Sequence, residues 1–432
     1  MSTMHQINMS IGDGGAVHMP PKEAVYSDLL SLGVSARKSH VEFASQAGGQ
    51  YKPGSRNVIE IPISVGDGQW VDFSNHYLKM KLTDNSKCAV AAGDPASFDI
   101  KSGYYTAHDF IQRLQILGTN SELLEDVTDY NKIARLLQMH QLGGDDVSVQ
   151  NNLGGFALPT VAANANTEIV GQTVCFQLIS GVLNAQKYYP LGMARNRSLT
   201  IRIELAPAVV AIATRAAAGT IGLVNDTPDY TVEEVSVGCD VISMSDTYNM
   251  KFRAMLEQMG SINIHYTTYK GYQNAVNGAG SVIIPDSSRS LKSIFTCFLA
   301  AAAPQIDSLA LTDPTIGGFI YNVNSHSYPA TSTKVSANNT AGAYALLHTA
   351  LGGISSSKMV TPAYSANAFA IGVCTESFNR SSNVLESGEN LSQSSNPIRL
   401  TLDAAGASTA FSFTLSDRLI SFDASGSLTS SG

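Results

Sequence analysis

The segment from residue 187 to residue 269 constrains the fold most strongly, because its periodicity changes twice. Apolar and polar residues alternate along Leu199–Leu205, which is the pattern of a strand with one buried face. A second alternation runs along Val235–Val241. Apolar residues in Tyr248–Met259 then follow helical spacing, and alternation resumes at Ile262. We therefore predict two β-domains joined by one helix.

The linking helix sets the predicted domain boundaries. Asp246 suits an N-cap, and Gly260 stands where a left-handed residue commonly ends a helix. A chain of 432 residues suits two domains of about 200 residues each. We predict an N-terminal arm (1–54), a first β-domain (55–245), a linking helix (246–260) and a second β-domain (261–432).

Short alternating segments occur in both halves of the chain. Further predicted strands lie at 59–65, 78–82, 110–117, 173–179, 281–285, 291–299, 369–373, 398–402, 410–415 and 419–422. Thr119 and Glu122 have capping-box spacing and predict a helix over 121–140, and a shorter helix is predicted over 343–351. Residues 142–171 and 301–361 read as long loops. This organisation predicts an all-β protein, mainly β with a few short helices, built from two sandwiches.

Composition limits the function classes. Charged residues make up 14% of the chain, below the roughly 25% of a typical soluble domain. This low fraction favours a surface that is covered by other subunits or is polar through Ser, Thr and Asn. The net charge of -8 argues against direct binding of nucleic acid. The five cysteines are widely spaced and predict free thiols in a reducing compartment. Neither a signal peptide nor an apolar run of membrane-spanning length is found, so synthesis in the cytoplasm is expected.

Motifs of enzymes and cofactor sites are missing from the sequence. It contains no nucleophile elbow, P-loop, zinc-protease helix or dinucleotide-binding glycine run, so we predict no catalytic, cofactor-binding or metal-binding residues. Trp70 is the single tryptophan. Such a side chain stacks on sugars in lectins, but a core or interface anchor is commoner, and we take Trp70 as an interface candidate.

The N-terminal arm carries three more interface candidates. Val25, Leu29 and Leu32 would lie on one face of a short amphipathic helix. That helix would pack on its own domain or reach a neighbouring subunit, with an internal membrane as the less favoured partner.

The order of motifs along residues 55–432 resembles that of double jelly-roll major capsid proteins. The segments that carry the resemblance are Trp70–Ser74 leading into Tyr77–Met80, Lys187–Leu191 before Leu199–Leu205, Tyr230–Ile242, Ser288–Lys292, Ser387–Gly388 with Asn390, Asn396–Ile398 and Asp417–Leu428. The nearest resemblance is to the capsid proteins of polinton-like viruses and virophages, in the wider lineage of adenovirus hexons and lipid-containing phages.

This resemblance implies two consecutive eight-stranded jelly rolls. Three chains would form a homotrimer with a pseudo-hexagonal outline that tiles an icosahedral virion shell. The implied partners are other copies of the chain, neighbouring capsomers, penton or minor capsid proteins, and an internal membrane reached by the arm. Long loops between the strands would lock neighbouring subunits together.

Two other functions compete with a capsid role. A tandem jelly-roll protein that binds carbohydrate or a receptor, as in a spike or a lectin, would share the fold. A β-sandwich glycosidase would need two carboxylates in an aromatic cleft, which a chain with one tryptophan suits poorly.

Overall fold

The computed structural model describes residues 35–85, 107–141, 172–211, 229–300, 311–336, 339–352, 368–377, 387–392 and 396–431. The strands are β1 (Ala36–Ala44), β2 (Val58–Ser64), β3 (Gln69–Asp84), β4 (Ile111–Leu117), β5 (Leu123–Thr128), β6 (Gln172–Phe176), β7 (Tyr188–Tyr189), β8 (Ser198–Leu205), β9 (Tyr230–Met244), β10 (Ser261–Val276), β11 (Gly280–Ile284), β12 (Leu291–Ala300), β13 (Gly318–Val323), β14 (His326–Lys334), β15 (Ala370–Cys374), β16 (Ile398–Leu402), β17 (Ser408–Asp423) and β18 (Leu428–Ser431). The helices are α1 (Tyr130–Gln141), α2 (Ala208–Ala211), α3 (Asp246–Met259) and α4 (Ala341–Ala350).

The first half of the chain forms two antiparallel sheets with interleaved strands. One sheet has the order β1-β9-β3-β6, with the short β7 also paired to β3. The other sheet has the order β2-β8-β4-β5. Leaving β7 aside, the first of the eight strands lies beside the last in one sheet, and the second lies beside the seventh in the other. This strand order is that of an eight-stranded jelly roll.

The second half repeats the same strand order. Its sheets run β10-β17-β12-β15 and β11-β16-β13-β14, and β18 continues the line of β12 along β17. The prediction of an all-β fold with two consecutive jelly rolls is therefore confirmed. Helix α3 joins the last strand of the first roll to the first strand of the second.

Alternation of side chains explains the pairing of β2 with β8. Ile59, Ile61 and Ile63 are at most 1% exposed, and they oppose similarly buried residues of β8. The intervening residues of β8 are only partly buried, as the alternation in the sequence predicts. Pro62 occupies the middle of β2, which is an edge strand and therefore tolerates a residue without a backbone N–H.

The predicted helix over residues 121–140 is wrong in its first half. Leu123–Thr128 form strand β5, which pairs with β4, and the helix begins only at Tyr130. Gly118 N donates to Glu122 O (2.8 Å), so the capping-box spacing belongs to a turn between two strands. Leu123 and Val127 are four residues apart, a spacing that fits one face of a helix and one face of a strand alike. In the strand, Leu124 and Val127 are buried and Leu123 is 48% exposed.

Other element boundaries also differ from the sequence predictions. Residues 36–44, assigned to the N-terminal arm, form β1 on the edge of the first roll. Two strands, β13 and β14, lie within the predicted loop over 301–361. The N-cap of the linking helix is Ser245 rather than Asp246, and Gly260 ends the helix with φ of +80°.

One hydrophobic cluster extends through both rolls. It includes buried residues of the first roll such as Ile133 and Leu183, together with Phe295, Phe411 and Phe413 of the second. The two rolls are therefore packed against each other through apolar side chains. A second cluster lies entirely within the second roll.

Candidate subunit interfaces

The junction between the rolls is formed by neighbouring strands of the two halves of the chain. Strand β5 of the first roll lies against β10 of the second. The hydroxyl of Thr128 donates to Gly271 O (3.1 Å), and Gly271 N donates back to the same hydroxyl (3.2 Å). Tyr266 Oη, also of β10, donates to Leu124 O of β5 (2.5 Å). Hydrogen bonds thus fix β10 along β5.

Gly181 allows the closest approach at this junction. A Cβ atom at this position would lie 1.7 Å from Thr267 O and 2.9 Å from the ring of Tyr266. Both are residues of β10, so the absence of a side chain at residue 181 lets a loop of the first roll touch the backbone of the second. Any other residue would push β10 away.

A buried carboxylate organises the same loop. Glu125 is 1% exposed and accepts hydrogen bonds from Gly181 N (2.8 Å), Val182 N (3.2 Å) and the hydroxyl of Ser180. Burial raises the pKa of this carboxyl and is the largest influence on it. The hydrogen bonds lower the pKa and partly offset the effect of burial. The side chain therefore holds the loop at the junction in place.

Helix α1 supplies a second set of contacts with the second roll. The ammonium of Lys132 lies 4.5 Å from the centre of the Phe411 ring, which is a cation–π distance. His140 Nε2 lies 2.9 Å from Ala368 O, and the amide of Gln141 donates to Leu351 O (3.2 Å). Contacts from both a strand and a helix therefore join the two rolls.

Trp70, an interface candidate from the sequence, lies inside the chain. Its indole is 5% exposed, donates to Asn249 Oδ1 (3.1 Å) and packs edge-on against Phe252 with ring centres 4.6 Å apart. It therefore anchors the linking helix α3 to β3. A contact of Trp70 with a neighbouring subunit stays a prediction, and its burial leaves little surface for one.

The other interface candidates belong to the N-terminal arm. Val25, Leu29 and Leu32 lie outside the described residues.

Several large apolar side chains are exposed on the described surface. Helix α3 carries three of them, Met250 (64% exposed), Met255 (41%) and Met259 (63%), and only Leu256 of its apolar stripe is well buried. The others are Leu123, Tyr188, Val209 and Ile283. Methionine suits adaptable contacts, so the outer face of α3 is a candidate interface that the helical periodicity did not distinguish from core.

Two clefts flank the junction between the rolls. The cleft of about 250 Å³ is lined by Asp126 and Lys270 among others. Arg113 binds Asp126 through two bonds (2.7 and 2.6 Å), and Lys270 lies 3.5 Å from Asp286, so these charges are already paired. The second cleft, of about 330 Å³, is lined mainly by amide, hydroxyl and apolar side chains.

The described residues form neither a metal-binding cluster nor a membrane-spanning helix. Within the part of the chain that the structure covers, no group of three or more His, Cys, Asp or Glu residues is placed to hold a metal ion. None of the described helices is long and apolar enough to cross a membrane.

Comparison with solved structures gives many matches, among them the following three. PBCV-1 VP54, fitted into a cryo-EM reconstruction of the virophage Sputnik, is similar over 92% of this chain and 97% of its own, with a TM-score of 0.60 and 13% identity. A chain of the Sputnik virophage structure is similar over 98% of this chain and 94% of its own (TM-score 0.56, 9% identity). The Faustovirus major capsid protein matches over 95% of this chain and 92% of its own (TM-score 0.51, 9% identity).

These matches confirm the fold that the order of motifs predicted. The chain has the fold of viral capsid proteins over nearly its whole length. Searches by sequence add nothing to this, because no family model and no curated protein matches the chain.

Proposed function

We propose that this chain is a major capsid protein, a structural subunit of an icosahedral virion shell. The observation that carries the proposal is the repetition of the jelly-roll strand order in two consecutive halves that cover almost the entire chain. The matched structures include a virophage, the PBCV-1 virus capsid and a named major capsid protein. The proposed role is non-enzymatic, because the matched structures include a virus capsid and a named major capsid protein.

The proposed capsomer is a homotrimer with a pseudo-hexagonal outline. Each chain contributes two similar rolls, so three chains related by a threefold axis would present six similar lobes. This geometry requires a fixed angle between the rolls. The close approach at Gly181, the Thr128–Gly271 bonds and the cation–π contact of Lys132 support such a fixed angle.

The proposed partners follow from self-assembly and charge. The chain would bind two copies of itself in the trimer, then neighbouring capsomers and penton or minor capsid proteins. A net charge of -8 favours indirect contact with the genome. The N-terminal arm preceding β1 is the segment proposed to reach a neighbour or an internal membrane. The protein would be made in the host cytoplasm and act in the virion.

The domain organisation is proposed with one change from the sequence prediction. The first roll begins at β1 rather than at residue 55, because β1 is an integral strand of its sheet. The linking helix and the second roll keep the boundaries 246–260 and 261–432.

Solution mass tests this proposal. Light scattering on the purified protein is expected to give three times the chain mass of 45.7 kDa, unchanged on dilution. A monomer at every concentration would contradict the trimer. Glycan-array binding by such a monomer would instead support the carbohydrate- or receptor-binding alternative.

A further inference from the structure

Strand β1 differs from the other edge strands of the described sheets. The edge strand β2 contains Pro62, and β14 contains Pro329 and a shift of register against β13. Strands β5 and β10 cover each other, and the remaining edges are five residues long or shorter. By contrast, β1 pairs with β9 over nine consecutive residues with no shift, and none of its residues is buried.

Three polar side chains of β1, those of Lys38, His40 and Glu42, do not guard its open edge. Lys38 binds Asp240 of β9 at 2.6 Å, and His40 Nδ1 lies 3.0 Å from the same carboxylate. Glu42 accepts a hydrogen bond from Tyr77 (2.9 Å) on β3. These side chains are therefore directed across the face of the sheet, where they do not block another strand from the edge.

Tyr77 clamps β1 to the sheet from two strands away. Its ring crosses β9 above Gly238, where a Cβ atom would lie 2.4 Å from the ring. The hydroxyl thereby reaches both Glu42 (2.9 Å) and His40 Nε2 (3.0 Å). The clamp holds an exposed edge strand in a regular conformation, and a preorganised edge lowers the cost of adding a strand.

The other face of β1 carries the exposed Arg37 and Ser39, followed by two apolar residues that are incompletely covered. Val41 and Phe43 are only partly buried, and Phe43 packs against the main hydrophobic cluster. A strand placed beside β1 would bury these side chains if its own apolar residues alternated on the same face.

The chain contains a matching segment outside the described residues. Ile7, Met9 and Ile11 alternate with Gln6, Asn8 and Ser10. Residues 12–35 connect this segment to β1 and span about 80 Å when extended, which exceeds the roughly 40 Å width of a 200-residue domain. Pairing with β1 of its own chain would need a hairpin loop of that whole length, whereas hairpin loops commonly have two to five residues.

We propose that β1 is a docking edge that accepts residues 6–11 of a neighbouring copy as an added strand. The backbone of β1 would supply the hydrogen bonds, and the partly buried Val41 and Phe43 would receive the apolar side chains. The inference rests on the proposed self-assembly, because it requires a second copy within reach. It assigns the N-terminal arm a strand-exchange role.

Amide hydrogen exchange of residues 36–44 provides the first test. In the assembled full-length protein, β1 amides are expected to exchange about tenfold more slowly than in a chain lacking residues 2–11. The variant with Ile7→Asp and Met9→Asp is expected to lose this protection. The matched control with Asn8→Asp and Ser10→Asp adds the same charge on the polar face and is expected to keep it. Equal exchange in all four proteins would overturn the proposal.

A photo-crosslink identifies the chain that donates the segment. A full-length chain with benzoylphenylalanine in place of Met9 is co-expressed with a tagged chain lacking residues 2–11. A crosslink to β1 of the tagged chain is expected. A crosslink only within the full-length chain, or crosslinks only outside β1, would overturn the proposal.

The mass of the truncated protein separates this inference from the proposed function. A truncated chain that still forms trimers without any change in β1 exchange would refute strand exchange alone. A full-length chain that never forms trimers would refute the capsomer as well.

Discussion

Gly181→Ala is the substitution that most directly perturbs the junction between the rolls. The added Cβ would lie 1.7 Å from Thr267 O, whereas an ordinary contact is about 3.5 Å, so β10 must move by nearly 2 Å. Overpacking of this kind costs about 3 kcal/mol. The displaced strand also loses the bonds between Thr128 and Gly271, each worth about 1 kcal/mol. The expected total loss is about 4–5 kcal/mol.

Calorimetry measures this loss as a fall in Tm. A change of 1 kcal/mol shifts Tm by about 2–4 °C in domains of 150–250 residues, so Gly181→Ala is expected to lower it by about 10 °C. Gly54→Ala is the matched control, because no heavy atom lies within 4 Å of its added Cβ. It is expected to change stability by less than about 0.5 kcal/mol. A Gly181→Ala protein that melts within about 2 °C of the wild type would refute the close packing of the rolls.

Three further predictions concern buried polar groups. Arg135→Met leaves Asp109 buried without the guanidinium that lies 2.6 Å away. This change is expected to lower the free energy of unfolding, measured in urea, by about 3–5 kcal/mol. The double variant that also carries Asp109→Leu is expected to regain part of that free energy. Burial lowers the pKa of His108 to about 3 and, as the largest influence, that of His140 to about 4. Below pH 6.5 the histidines of the unfolded chain bind protons that the folded chain does not, so acid favours unfolding. Each histidine is expected to remove about 1.4 kcal/mol of stability for each pH unit below 6.5, until the pH reaches the pKa of the folded state. Equal stability at pH 6 and pH 4.5 would contradict this prediction. Trp70→Phe keeps an aromatic ring but loses the hydrogen bond to α3, and a thermal-melt loss of about 1 kcal/mol is expected; no change would contradict the anchoring role.

Strands that bury one face of a sheet could be read from the sequence. Leu199–Leu205 alternates because β8 lies in the middle of its sheet with one face on the core. The linking helix was also predictable, since its apolar spacing is bounded by Gly260 at its end. The repeated jelly-roll order was predictable from motifs whose order along the chain resembles that of double jelly-roll capsid proteins.

Elements without a clear period were missed for physical reasons. The edge strand β1 has little apolar alternation because none of its residues is buried. The sequence of β5 predicts a helix because Leu123 and Val127 are four residues apart, as on one face of a helix. Strand β14 is exposed along much of its length, so its sequence resembles a polar loop.

The candidate interfaces were less predictable than the fold. The approach at Gly181 depends on the backbone of Thr267, which is distant in the sequence and leaves no local pattern. The methionines of α3 follow the same helical spacing as its buried residues, and only the packed structure separates exposed from buried positions. The burial of Glu125 likewise depends on donors from another loop.

Imaging of the purified assembly tests the central claim most directly. Cryo-electron microscopy of single particles is expected to show a threefold particle of hexagonal outline, with two jelly rolls per chain and six similar lobes around the axis. A particle without threefold symmetry would contradict the proposed capsomer. A particle in which the two rolls of each chain are not in contact would contradict it as well.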